Sequence, residues 1–450
     1  MTESDNIRHR VDANNIELVR IVFVNNSGVP RGRVVDSEKL PGVLEDGANV
    51  TQAMQSFNAL DRLAPDGQYG PAGEVRVVPD TDTFTELPYD DRTAIMLADL
   101  HDLDGNPWDA GPRARLGEYL REIGADGLTP QLSFESEFYY TDKTERGETV
   151  PMDQTTCFST DGMRSAHELI LETVDALKSQ GMGLAAYYPE YGPGQQELVI
   201  DHASGLTAAD EQILFKETIK GVAHQHDVGV TFRPNPFPNL PGTGCHIHLS
   251  LWQDGENRMY DPSADSRYPL SDAGRHFIAG LLKHAPALVA LTAPTVESYD
   301  RLTPGMWASA YTCWGHDNRE AMVRVPSVSS ETPEAETRVE FKPSDNTNNP
   351  YLAQLGLLAA GIDGIERELD PGEPINTDPS DIDNQVLSNR GITRLPESLD
   401  EALDAFETDA VLAEALGDTL HQSYLEVKRS ECEQSTDNGE VDTSYLSRSF

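Results

Sequence analysis

Three short stretches of the chain place ionisable side chains at alternate positions. In residues 131–140, QLSFESEFYY, Leu132, Phe134 and Phe138 point one way while Glu135 and Glu137 point the other, with about 6.5 to 7 Å between like-facing neighbours of a strand. Residues 245–251, CHIHLSL, set His246, His248 and Ser250 on one face, and residues 338–342, RVEFK, do the same for Arg338, Glu340 and Lys342. Between them, Glu190 and Glu197 bracket a glycine-rich turn, YGPGQQ, whose backbone could approach a ligand closely. Alone, each piece is commonplace: a solvated sheet face, a structural histidine pair, a turn. Convergence changes the chemistry, because crowded carboxylates raise one another's pKa unless divalent cations neutralise them. A set dominated by carboxylates suits Mg²⁺ or Mn²⁺ better than Zn²⁺.

The elements that would carry these residues form an α+β pattern. Residues 17–35 alternate around Asn25-Asn26-Ser27-Gly28 and predict a β-hairpin, with further strands at 74–78 and 94–97. A helix is expected over 111–124 and another over 165–180. A third begins where Thr207 and Asp210 could cap it, with Leu214, Phe215, Thr218, Ile219 and Val222 on one face. Residues 232–241, FRPNPFPNLP, cannot be regular structure because proline removes backbone donors. Helices return at 272–291, 350–369 and 399–429. The division expected is a mobile N-terminus (1–15), a small β domain (16–105), a catalytic-sized unit (106–430) and a mobile acidic tail (431–450).

Composition excludes several function classes. The 450 residues carry 34 Lys+Arg against 76 Asp+Glu, a formal charge of −42, which repels phosphate backbones and anionic lipid. Neither nucleic acid nor a membrane is an expected partner, and no run of about 18 apolar residues could span a bilayer. Cys157, Cys245, Cys313 and Cys432 show no metal-ligand spacing and fit a reducing cytoplasm. Only eight of the cations are lysines, and the acids are spread along the whole chain. That surface suits concentrated salt, where the screening length falls to about 3 Å at 1 M.

Taken in order, the motifs resemble the glutamine synthetase family. They are E-x-E at Glu135/Glu137, the Glu190/Glu197 turn, G-x-G-x-H-x-H-x-S from Gly242 to Ser250, R-L-x-P-G from Arg301 to Gly305, N-R-x-x-x-x-R from Asn318 to Arg324, and Arg338-Val-Glu340 running on to Asn349-Pro-Tyr351. The resemblance covers residues 16–430. It implies a β-grasp-like N-terminal domain followed by a catalytic domain built on an open antiparallel sheet funnel. It also implies stacked hexameric rings whose sites are completed by a neighbour. By position it implies that Glu137, Glu190 and Glu197 bind one metal and Glu135, His246 and Glu340 a second. His248, Ser250, Arg319 and Arg324 then contact ATP, while Gly242, His246 and Arg301 line the glutamate site. Arg301, Arg319 and Glu190 are the expected catalytic residues. The implied activity is ATP-dependent phosphorylation of glutamate's γ-carboxylate followed by attack of an amine.

Departures from the family pattern bear on which amine. The acid that ammonia-using members carry two residues after R-L-x-P-G is here Trp307, and residues 50–57 lack the aspartate of an ammonium-binding motif. Lys342 replaces an arginine, and Pro241 an asparagine, that would contact glutamate. With both ammonium-handling carboxylates missing, an organic amine or polyamine such as putrescine is expected, as in γ-glutamylpolyamine ligases, with Trp307 offering a π-face to its cation. Ammonia itself, handled by other groups, is the alternative, and a catalytically silent ring-forming homologue a second.

Overall fold

The computed structural model describes residues 3–437 and 440–450. The N-terminal unit is a mixed sheet of β1 (Leu18–Val24), β2 (Pro30–Asp36), β3 (Ala48–Thr51), β4 (Glu74–Pro79) and β5 (Thr93–His101), in the order β2-β1-β5-β4-β3, with Thr85–Glu86 added along β5. The expected hairpin is present, closing at Val24↔Pro30. Gly28 sits in its turn at φ +77, and a Cβ there would lie 2.7 Å from the Thr347 carbonyl. Glycine thus permits both the left-handed turn and its seating on the second domain.

The larger unit opens with α2 (Pro112–Ala125) and the long central strand β6 (Leu128–Lys143), then α3 (His167–Ser179), β7 (Leu184–Pro189), β8 (Gln195–Ile200), α4 (Leu206–Gln225) and β9 (Cys245–Gln253). α1 is the N-terminal helix Glu3–Ala13. After β9 come α5 (Asp272–Thr292), β10 (Trp314–His316), β11 (Val323–Val325), β12 (Val339–Phe341) and α6 (Pro350–Glu366). Sheet order is β10-β11-β12-β9-β6-β8-β7, with four shorter segments at its margins. Neighbours are antiparallel except β10 and β11, which run parallel, so the sheet is mixed rather than wholly antiparallel. Leu132, Phe134 and Phe138 are buried on one face of β6 as the alternation predicts. α5 and α6 pack beneath with Leu288, Leu291, Leu355 and Leu358 fully buried. Leaving such side chains in water would cost about 1.5–3 kcal/mol each.

Several expectations are corrected. Residues 3–13 are a helix that buries Ile7 and Val11 against the first sheet rather than a mobile segment. The C-terminal stretch is docked too: Glu431, Tyr445, Leu446 and Phe450 are buried, and Lys220 Nζ donates to the Ser449 carbonyl at 3.1 Å; residues 1–2 and 438–439 lie outside the described residues. α4 begins after Gly205 with no side-chain cap. Asp210 is instead buried under Arg113, whose guanidinium also reaches Asp80 and Asp99 of the N-terminal unit and so ties the two domains together. The expected helix over 399–429 is three: α7 (Leu399–Thr408), α8 (Ala410–Leu416) and α9 (Asp418–Ser435). Asp409 caps α8, and Gly417 at φ +76 breaks the chain before α9. Residues 232–241 form neither helix nor strand, as their prolines require.

Candidate active site

Strand pairing brings the spaced motifs together. β9 lies between β6 and β12, with His246 opposite Glu135 and His248 opposite Glu340. β8 pairs on the far side of β6, setting Glu197 opposite Glu137. Glu135, His246 and Glu340 each offer a ligand atom within 4.8 Å of the others. Glu137, Glu190 and Glu197 form a looser acidic group beside them. Gln195 Nε2 bonds Glu137 Oε2 at 3.0 Å, Tyr188 hydroxyl donates to Glu197, and the Tyr191 amide donates to Glu190 at 2.7 Å.

The two groups differ in their supply of positive charge. Burial pushes Glu340 up, but Lys342 and Arg324 outweigh it and hold the carboxyl well below its ordinary range. Glu135 is likewise pushed up by burial and brought well down by His248 and His246. On the other side burial, then Glu137, raises Glu190 to about 7. Glu197 is raised well above the carboxylate range by burial and by Glu137 and Glu135. Carboxyls that cannot ionise together without more positive charge, all hard oxygen donors joined by one imidazole, fit Mg²⁺ or Mn²⁺. The Glu135, His246 and Glu340 donors are thus a set that could hold a hard divalent cation.

Around this core the other expected residues fall into place unevenly. Arg301 is buried, donates to the Ser344 carbonyl at 3.2 Å and lies 3.4 Å from His246 Nε2. Lys342 Nζ is 3.2 Å from the same nitrogen, while Nδ1 faces the carboxylates of Glu340, at 3.4 Å, and Glu135, at 3.8 Å. Gly242 lies against Arg301, where a Cβ would come within 3.1 Å of Cγ, and its carbonyl accepts from Gln195. His248 accepts from Arg338 at Nδ1, 2.9 Å, and turns Nε2 toward Glu135 at 2.9 Å, off the hydrogen-bond line. Ser250, further along β9, is engaged by Trp252. Arg324 is ion-paired to Glu340. Arg319 and Trp307 project from loops and are exposed; Arg319 is near enough to draw Glu190 downward against its burial.

Two buried residues are invisible to motif reading. Asn346 sends its amide hydrogens to the carbonyls of Glu137 and Gly244, at 2.9 and 3.1 Å, and accepts from Ser136 and Gln212. It staples the strand carrying Glu137 to the approach to His246. Gln195 holds the Glu190 turn to Glu137 through its side chain. Asn346 lies in a polar loop and Gln195 opens β8 straight after a glycine-rich turn, positions where asparagine and glutamine are ordinary. Only the count of polar residues in 344–349, SDNTNN, could have hinted that this loop is buried.

Residues 4–108 match the family model described as glutamine synthetase N-terminal domain, and residues 109–443 the one described as glutamine synthetase, catalytic domain. The chain belongs to the glutamine synthetase family. It is 34% identical to the glutamine synthetase of Pyrococcus abyssi over 93% of its length and 90% of the relative's. To that of Halobacterium salinarum it is 32% identical over 94% and 91%. A solved structure described as a novel glutamine synthase homolog superposes with TM-score 0.84 at 33% identity, covering 96% of this chain and 97% of that one. A GmaS/ADP complex follows at TM-score 0.82, 29% identity and 95% of each chain. A glutamine synthetase-like, ATP-dependent ligase is thus shown, and no helix among the described residues is long and apolar enough to cross a membrane.

Proposed function

We propose that this protein joins the γ-carboxylate of glutamate to an organic amine, a polyamine such as putrescine being the favoured class. The observation that carries this reading is the aromatic pair beside Glu190. Trp307 and Tyr191 are each more than half exposed with ring centroids 6.3 Å apart, where the family pattern has an acid in place of Trp307. Two π-faces beside a carboxylate recognise an alkylammonium, each contact worth about 0.5–2 kcal/mol. A bare ammonium ion would find no new carboxylate there.

In the first step a γ-carboxylate oxygen of glutamate attacks the γ-phosphorus of ATP, and ADP leaves. In the second, the alkylammonium gives up one proton, the freed amine nitrogen attacks the acyl carbon, phosphate leaves, and the nitrogen sheds a second proton. Arg301, Gly242, His246 and Lys342 hold glutamate. His248, Ser250, Arg319 and Arg324 bind the nucleotide, the arginines facing charge that spreads over the phosphoryl oxygens. Glu137, Glu190 and Glu197 would hold one divalent cation and Glu135, His246 and Glu340 another. When bound, these cations neutralise triphosphate and carboxylate. Glu190, raised to about 7 and next to Tyr191, is the candidate to accept the amine's proton where metal leaves it free. The working form is a homo-oligomer of stacked hexameric rings in a salt-rich cytoplasm. The four free cysteines support a reducing compartment.

Glutamate–ammonia ligation is the second reading, favoured by the glutamine synthetases of Pyrococcus abyssi and Thermus thermophilus, 34% and 38% identical to this chain. Phosphate release measured over ammonium, putrescine, longer polyamines, ethanolamine and aromatic amines separates the two. Turnover with ammonium alone, at ordinary affinity, would sink the organic-amine reading.

A further inference from the structure

Glu320 carries a carboxylate that none of these roles uses. It follows Arg319 directly and is only 7% exposed, yet its described hydrogen bonds come from backbone rather than from a cation. Oε1 accepts the Trp307 amide at 2.7 Å, and the Gly305 amide lies near enough to favour the charged form. A buried carboxylate is costly unless satisfied, so this charge-assisted bond is a strong one. The Glu320 amide in turn donates to Asn318 Oδ1 at 3.0 Å, and Asn318 Nδ2 donates to the carbonyls of Ile375 and Thr377, at 2.6 and 3.0 Å. Three consecutive residues therefore divide the work. Asn318 fixes the turn to the body of the domain, Arg319 is presented toward Glu190, and Glu320 reaches across to the Trp307 loop.

That loop needs an anchor. Trp307 and Ser309 adopt φ of +54 and +65, a region costly for residues other than glycine. The Met306 and Trp307 side chains are 54% and 58% exposed, so packing does not hold them. What holds the Trp307 backbone is its hydrogen bond to Glu320, and two residues on the buried Ser309 hydroxyl donates to the Ala321 carbonyl at 2.9 Å. We propose that Glu320 is a positioning residue for amine selectivity. Its carboxylate clamps the Trp307 backbone to the turn bearing Arg319, so that the aromatic face for the amine and the arginine for the phosphoryl group are placed as one unit. The proposal rests on Trp307 facing the amine.

The test uses the full-length protein and the variants E320A, E320Q and E320D. KM is measured for glutamate, ATP and whichever amine the wild type turns over best, together with amide hydrogen exchange over residues 303–309. In E320A the amine KM rises about tenfold while the glutamate and ATP values stay within about twofold, and the Trp307 amide loses protection. E320Q, whose amide oxygen can accept the same bonds, restores both readouts, and E320D, one methylene shorter, is intermediate. An unchanged amine KM and exchange in E320A overturns the clamp. So does an equal rise in all three KM values, or a failure of E320Q to restore them. Should E320A not fold, an unchanged amine KM in E320D overturns it equally. Failure of the organic-amine reading shows separately, as wild-type turnover of ammonium alone, and leaves the exchange result standing.

Discussion

Arg324 and Glu340 stand directly opposite each other on β11 and β12 and form an ion pair, so the Glu340 carboxylate, clustered with Glu135 and His246, is held ionised by Lys342 and Arg324 of its own sheet edge. Glu340→Ala removes a ligand atom and leaves Arg324 and Lys342 facing each other unpaired. Turnover should fall by about 100-fold or more, and calorimetric titration with Mn²⁺ should lose one binding event. Wild-type rates in this variant, or in Glu137→Ala, would show the metal assignment to be wrong.

Asn346→Ala removes four hydrogen bonds, to the carbonyls of Glu137 and Gly244 and from Ser136 and Gln212, although Gly244 keeps the Glu137 amide and Gln212 keeps Ser136. With that buried network lost, unfolding should become easier by about 3 kcal/mol. Denaturant titration reads that loss. Phosphate release should fall as well, because Glu137 and His246 no longer share a fixed frame.

Trp307→Ala removes an aromatic face and leaves the Glu320 contact to its backbone in place. The amine KM should rise by about 2- to 30-fold, the range corresponding to a cation–π contact of 0.5–2 kcal/mol, with ATP and glutamate unaffected. Steady-state kinetics with the preferred amine decide it. An unchanged value would place the amine elsewhere.

His284 lies buried on α5 between Asp409 Oδ2 at 2.6 Å and Asp363 Oδ2 at 3.0 Å. Burial lowers its pKa, but the two carboxylates prevail and raise it above the ordinary 6.5. A raised folded-state pKa stabilises fully below the unfolded value and ceases to do so as pH rises through the folded one. The melting-temperature gap between wild type and His284→Gln should therefore be wide at pH 6 and narrow toward pH 9. A gap that widens with pH would contradict the charged, bridging imidazole.

Dilution of salt should loosen both fold and assembly. Three of the eight lysines, at 216, 342 and 428, are buried along with two arginines, and seven acids are buried too, so the exterior carries nearly the whole of the negative excess. Melting temperature and sedimentation should both rise between about 0.1 M and 2 M KCl as the screening length shrinks. Melting and sedimentation unchanged at low ionic strength would count against a salt-adapted surface.

Much of this was legible in the sequence because strands write their faces in period two. Glu135 and Glu137, His246 and His248, and Glu340 are each read from alternation, and their meeting follows from sheet pairing. Asn346, Gln195 and Glu320 were not legible. Each acts through contacts to backbone groups distant in sequence, and nothing in local spacing encodes a partner's carbonyl or amide. Asp210 was misread for a related reason: it has the type and position of a cap, yet the Arg113 guanidinium outcompetes the helix end for it. The docked ends escaped notice because α1 and residues 440–450 bury only a few side chains each, too few for periodicity to reveal.

The central strand β6 has a consequence for how the enzyme is made. It is bordered in turn by segments 149–151, 195–200, 203–204, 229–231 and 245–253. Glu340 completes the triad only roughly 200 residues after Glu135 has left the ribosome, and contacts so distant in sequence slow folding. A nascent chain therefore carries its acidic half-site exposed for most of its synthesis. Divalent cations can bind tightly only after β12 is in place, so metal capture should report the end of folding rather than its beginning.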